Sequence, residues 1–155
     1  MIFDVYIKDE VISSFEFLAE SFGEKRLEAM GLLLGKCFSL NGKKWVIVDE
    51  LITSQTDSSA VSVRFSEKFF EELVREYGKN KSGKIIIGWI HSHPGYGCFL
   101  SGTDLATQKS YFSKDFNVAF VVDPKKTENG KMLKRAYRLD ENKSGYKEVS
   151  FAVLK

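Results

Sequence analysis

Apolar positions recur along this chain in distinct rhythms, and each rhythm predicts an element. Phe3, Val5 and Ile7 alternate with polar residues, as in a strand. Val11, Ile12, Phe15, Leu18, Ala19 and Phe22 then recur at steps of three and four, the spacing of a helix with one buried stripe that ends near Gly23. Gly31 to Phe38 and Lys44 to Ile52 read as two strands joined at Asn41-Gly42, a pair suited to a type I′ turn because both residues tolerate positive φ. After the polar run Ser54 to Ser59, the segment Ala60 to Phe65 alternates again, which predicts a short strand carrying Val61, Ser62 and Val63. Ser66 can cap a second helix, with Phe69, Phe70, Leu73, Val74 and Tyr77 on one face, and Gly78 to Lys84 is a polar, basic connection. Ile85-Ile86-Ile87 opens an unbroken apolar run with the β-branched content of a buried strand. A helix follows from Ser101 to about Phe112, then a strand from Asn117 to Val122 ended by Asp123-Pro124. Asn129-Gly130 turns the chain into a strand from Met132 to Leu139, and Tyr146 to Leu154 reads as one last strand. Strands and helices in this order give an α/β (α+β) fold with a mixed sheet flanked by helices, and the whole of residues 1–155 reads as a single domain.

The buried run ends in chemistry. In His91-Ser92-His93-Pro94 the two imidazoles are at i and i+2, so on a strand they project from the same face while Ser92 points the other way. Pro94 lacks a backbone donor and stops the strand, and Gly95-Tyr96-Gly97 turns the chain toward Ser101 and Asp104. Two imidazoles and a nearby carboxylate form a three-ligand set of nitrogen and oxygen donors. Zinc accepts such a set with one position left for water, as in catalytic sites. Taken alone, Ser101-x-x-Asp104 is equally a helix-capping arrangement. Both histidines of the chain fall in this stretch, however, and a core histidine needs no twin two residues away.

Composition narrows the classes. The 23 basic and 21 acidic residues nearly balance, and the lysines are scattered, which argues against a nucleic-acid binder. No long apolar span or basic-apolar leader is visible, so no membrane partner is expected. Cys37 and Cys98 form no C-x-x-C pair, which predicts a reducing, cytoplasmic setting. A serine or cysteine nucleophile would need a histidine base, and both imidazoles are committed to the metal set.

The segment HSHPGYGCFLSGTD resembles the JAMM signature of His-Ser/Thr-His, seven residues, Ser, two residues, Asp. The likeness runs through Gly95-Tyr96-Gly97-Cys98 and on to Thr107-Gln108, and Glu28 stands before Ala29-Met30-Gly31-Leu32-Leu33-Leu34-Gly35 as the family's upstream glutamate does. The chain is thus similar, from about Val5 to Leu139, to the JAMM/MPN zinc metalloproteases, and most of all to their proteasome-lid and signalosome catalytic subunits. The resemblance implies the MPN fold, which is cytidine-deaminase-like. It implies Zn2+ held by His91, His93 and Asp104, with Glu28 as general base and Ser101 as donor to the oxyanion. It implies an isopeptidase that removes ubiquitin or a ubiquitin-like modifier from lysines, with the proteasome or another MPN-domain protein as partner. Family enzymes hold the modifier tail along the segment that here contains Val61, Ser62 and Val63, and Tyr96 and Phe99 are candidates to flank that groove. Two other readings stay open: an amidase of small archaeal-type modifiers or sulfur-carrier fusions, and a non-catalytic MPN scaffold. On position alone, Glu28 reads as a solvated loop acid, and Cys98 reads as a packed thiol beside the site.

Overall fold

The computed structural model describes residues 2–53, 75 and 83–155. The expected polar loop and the strand of Val61, Ser62 and Val63 lie outside the described residues, as does the second helix except for Arg75, which is helical. The remaining elements run β1 (Val5–Lys8), α1 (Asp9–Glu24), β2 (Met30–Leu40), β3 (Lys43–Thr53), β4 (Ile85–Ser92), α2 (Gly102–Tyr111), β5 (Val118–Glu128), β6 (Lys131–Leu139), β7 (Tyr146–Val149) and β8 (Phe151–Leu154). The strands form one mixed sheet in the order β7-β6-β5-β4-β2-β3-β1-β8. β4 is central. It pairs antiparallel with β2, which follows Glu28, and parallel with β5.

Each sheet face has its own core. On one side α1 lays Val11, Ile12, Phe15 and Ala19 against Val46, Val48, Ile87, Val118 and Phe120. Burying a side chain such as Phe15 stabilises by about 1.5–3 kcal/mol. The opposite side gathers Leu32, Leu34, Trp89, Ala119, Val121 and Phe112. A bulge in β4 separates Leu33↔Gly88 from Leu34↔Ile86, so Ile87 is an extra residue there. That insertion lets Ile87 and Ile90 both face α1 while Trp89 and His91 face away from it. Gly88 permits the close approach of β5, because a Cβ there would run into the Val118 carbonyl.

The turns at Asn41-Gly42 and Asn129-Gly130 have positive φ at both central residues, as the sequence predicts. Two expectations are corrected. Asp123-Pro124 does not end the fifth strand, which continues to Glu128. The register jumps from Asp123↔Leu133 to Thr127↔Met132, and Pro124 lies in that irregularity, where no ladder hydrogen bond is asked of it. Tyr146 to Leu154 is likewise two strands. β7 pairs with β6 at one edge of the sheet, while β8 pairs with β1 at the other. Only Ser150 separates them, and its backbone N–H and hydroxyl both donate to Asp4 Oδ2, at 3.0 and 2.8 Å. The two edges of the sheet are therefore joined by one residue, and the sheet curls back toward itself.

Candidate metal centre

His91 is the next-to-last residue of β4, and His93 lies just beyond the strand's end. Their Nε2 atoms are 3.1 Å apart, and each is 3.1 Å from Asp104 Oδ2. All three side chains are buried. Ser92 points the opposite way, and its hydroxyl accepts the Ala29 N–H at 2.7 Å, tying the residue after Glu28 to the histidine strand.

Asp104 reaches this point because α2 begins at Ser101. The Ser101 hydroxyl accepts the Asp104 N–H at 3.1 Å, and Asp104 Oδ2 accepts the Ser101 N–H at 3.0 Å, a complete capping box. The two meanings of Ser-x-x-Asp are thus compatible, since the cap aims the same carboxylate oxygen at the histidines. Burial works to raise the Asp104 pKa, but the two imidazoles and the Ser101 N–H outweigh it and hold the carboxyl well below the usual carboxylate range. Burial pushes the His91 pKa down despite the neighbouring carboxylate, which favours the neutral ring a metal ligand requires.

The donor set fits a zinc ion. A tetrahedral site with bonds of about 2.0–2.1 Å has neighbouring donors about 3.3–3.4 Å apart. The observed 3.1 Å triangle is close to that edge. Calcium and magnesium prefer all-oxygen shells, so two imidazoles select against them. His93 Nδ1 lies 3.1 Å from the Gly97 carbonyl, which can only accept, so the contact is a hydrogen bond when Nδ1 carries the proton. With the proton there, the neutral ring would offer its Nε2 lone pair to a cation that Asp104 and His91 also face. Two imidazole N–H groups pointed at each other across 3.1 Å would repel, whereas lone pairs converging on one cation do not.

Glu28 lies just before β2, and β2 pairs with β4 through Met30↔His91. Its charge acts on the His91 ring, and its Oε1 is buried with no partner among the described residues. Tyr96 and Phe99 flank His93, with ring centroids 5.7 and 4.8 Å away, and are 55% and 39% exposed. Cys98 is packed, as expected: its thiol donates to the Val121 carbonyl at 3.2 Å, and burial pushes its pKa up to about 12. Trp89 stacks beneath His91 at 4.3 Å between ring centroids. Val61, Ser62 and Val63 lie outside the described residues.

Sequence reading missed two supports. Gln108 Oε1 accepts the Trp89 indole N–H at 2.6 Å, and Asp123, fully buried, accepts the N–H groups of Gly95 and Gly97 at 2.8 and 2.7 Å. The available signal for Asp123 was its spacing from Val121, which on a strand puts both on the side facing Trp89 and His91.

Residues 2–115 match the family described as JAB1/Mov34/MPN/PAD-1 ubiquitin protease, and the chain belongs to that family. Among curated relatives, COP9 signalosome complex subunit 5 of Candida glabrata is 34% identical over 140 residues, covering 83% of this chain and 30% of the relative. The 26S proteasome non-ATPase regulatory subunit 14 of Drosophila melanogaster is 35% identical over 118 residues, 73% of this chain and 36% of its own length. Ubiquitin carboxyl-terminal hydrolase RPN11 of Saccharomyces cerevisiae is 35% identical over 121 residues, 73% of this chain and 37% of its own. The chain thus spans about a third of the length of these relatives. A solution structure of a protein from Desulfitobacterium hafniense superposes with a TM-score of 0.67 at 19% identity, covering 97% of this chain and 93% of that one, which is a likeness of fold. The mixed sheet with helices on both faces is the MPN/JAMM fold that the sequence predicts.

Proposed function

We propose that this chain is a zinc-dependent isopeptidase that removes ubiquitin or a ubiquitin-like modifier from substrate lysines. The observation that carries the reading is the convergence of His91 Nε2, His93 Nε2 and Asp104 Oδ2 at 3.1 Å, with Glu28 Oε1 buried and without a partner among the described residues, just before the strand that pairs with His91. His91, His93 and Asp104 would hold the ion. Zinc, when bound, makes water more acidic and polarises the scissile carbonyl. Glu28 takes the water proton as general base and delivers it to the departing amine, leaving a carboxylate and a free lysine side chain. The Ser101 hydroxyl oxygen is occupied as acceptor by the Asp104 N–H, so its own proton is available to donate to the developing oxyanion. Tyr96 and Phe99, exposed beside His93, are read as flanks of the groove for the modifier tail, and Val61 to Val63 as its strand-pairing edge.

Support for the modifier comes from the relatives, one of which is named a ubiquitin carboxyl-terminal hydrolase, and the others as proteasome and signalosome subunits. The same names support the proteasome or another MPN-domain protein as partner. Both thiols are free, in keeping with a cytoplasmic setting, and among the described residues no helix is long and apolar enough to cross a membrane. The test is incubation with isopeptide-linked diubiquitin and with a linear Gly-Gly fusion, each with and without a chelator. Chelator-sensitive cleavage of the isopeptide is expected. Cleavage of the linear fusion alone would favour the sulfur-carrier reading, and no zinc-dependent cleavage of either would favour a scaffold.

A further inference from the structure

Asp123 has no part in the proposed chemistry, yet it is a fully buried carboxylate with both oxygens engaged. Oδ1 accepts the Gly95 N–H at 2.8 Å and the Lys125 N–H at 2.9 Å. Oδ2 accepts the Gly97 N–H at 2.7 Å. Burying an ionised carboxylate is costly unless its lone pairs are met, and three backbone donors meet them here.

The turn so gripped has one contact that matters to the metal set. Gly95 and Gly97 have φ of +92° and +85°, backbone that side-chain-bearing residues rarely adopt. In that conformation the Gly97 carbonyl lies 3.1 Å from His93 Nδ1. The same loop is pinned further along, where Tyr137 Oη donates to the Cys98 carbonyl at 2.8 Å and the Cys98 thiol donates to Val121. His93 itself is fixed at its backbone, its N–H donating to the Val122 carbonyl at 2.8 Å, one residue before Asp123.

We infer that Asp123 is a positioning residue for metal binding: by holding the amides of Gly95 and Gly97 it places the Gly97 carbonyl to take the Nδ1 proton of His93, leaving the Nε2 lone pair for the ion on which His91 and Asp104 also converge. The inference rests on the zinc reading above. Partners outside a metal's ligand set that fix an imidazole tautomer are worth about 10–100-fold in metal affinity. Asp123→Asn keeps the shape but turns an NH2 group toward one of the glycine amides, so one of the two clamps opens.

The test compares wild-type and Asp123→Asn chains by zinc competition against a chromophoric chelator, and by two-bond 1H–15N NMR of the histidine rings in the zinc-free proteins. Zinc affinity about 10–100-fold weaker in the variant is expected, with His93 losing its single Nδ1–H tautomer and unchanged circular dichroism. Equal affinity with the tautomer retained overturns the inference. If the variant does not fold, the wild-type spectrum decides: a zinc-free His93 protonated at Nε2 overturns it, and one protonated at Nδ1 with hydrogen-bonded Gly95 and Gly97 amides sustains it. A wild-type chain that binds no zinc would defeat the zinc reading, while the tautomer would still report on Asp123.

Discussion

The Trp89 indole donates to Gln108 Oε1 at 2.6 Å, and this buried bond joins the strand that carries His91 to the helix that carries Asp104. Gln108 also donates to the Phe112 carbonyl at 3.2 Å, so one amide fastens the end of α2 and the plane on which His91 stacks. The geometry of the donor set depends on two elements staying in register, and this contact is where they meet beneath the site.

Gln108→Leu fills similar volume but removes the acceptor from a buried indole. The expected cost is about 1–3 kcal/mol of stability, read by urea denaturation, together with weaker zinc binding. An unchanged midpoint and unchanged zinc affinity would show that α2 is held by apolar packing alone.

Gly88→Ala is expected to be more damaging than its size suggests. The added methyl meets the Val118 carbonyl, and β4 and β5 must part to accept it. Overpacking of this kind costs about 1–3 kcal/mol or more, measurable as a lower Tm. Gly102→Ala, where a Cβ meets nothing nearby, is the control and should leave stability almost unchanged.

These sites differ in how plainly the sequence announces them. His91 with His93, and Ser101 with Asp104, are close in sequence, and strand alternation and helix capping dictate how each pair is aimed. The grip of Asp123 on Gly97 spans 26 positions, a separation at which periodicity says nothing of contact. The break at Ser150 was hidden for a similar reason. Strand-like composition runs through Tyr146 to Leu154 without interruption, and only the distant partners β6 and β1 divide it. Glu28 stands between these cases: its place before β2 is readable, but its nearness to His91 is a product of strand pairing.

The thiol of Cys98 stays protonated in the folded chain to about pH 12, against an ordinary 9.0. Burial also raises the Tyr137 phenol above its ordinary 10.0. Unfolded chains release these protons earlier, so the unfolded state binds fewer protons above pH 9 and stability falls as pH rises from there toward 12. At pH 8 iodoacetamide should leave native Cys98 unmodified and turnover intact, whereas a chelator abolishes turnover. Mass spectrometry of the treated protein checks the first half, and rapid loss of activity on alkylation would contradict it.

Ser101→Ala removes both a helix cap and the proposed oxyanion donor. The cap is worth about 1 kcal/mol, and the donor about 10²–10³ in kcat. Measured well below the Tm, a kcat loss of that size with a modest Tm shift is expected, and Ser101→Thr should recover most of both. A variant that loses only stability would assign Ser101 to capping alone.

The most direct test of the whole account is turnover by Glu28→Gln measured on protein whose zinc content is determined in the same sample. The zinc reading predicts one zinc per chain in wild type and variant alike, with isopeptide cleavage by the variant reduced by about 10² or more because the proton acceptor is gone. A zinc-loaded Glu28→Gln chain that cleaves as fast as wild type would contradict it.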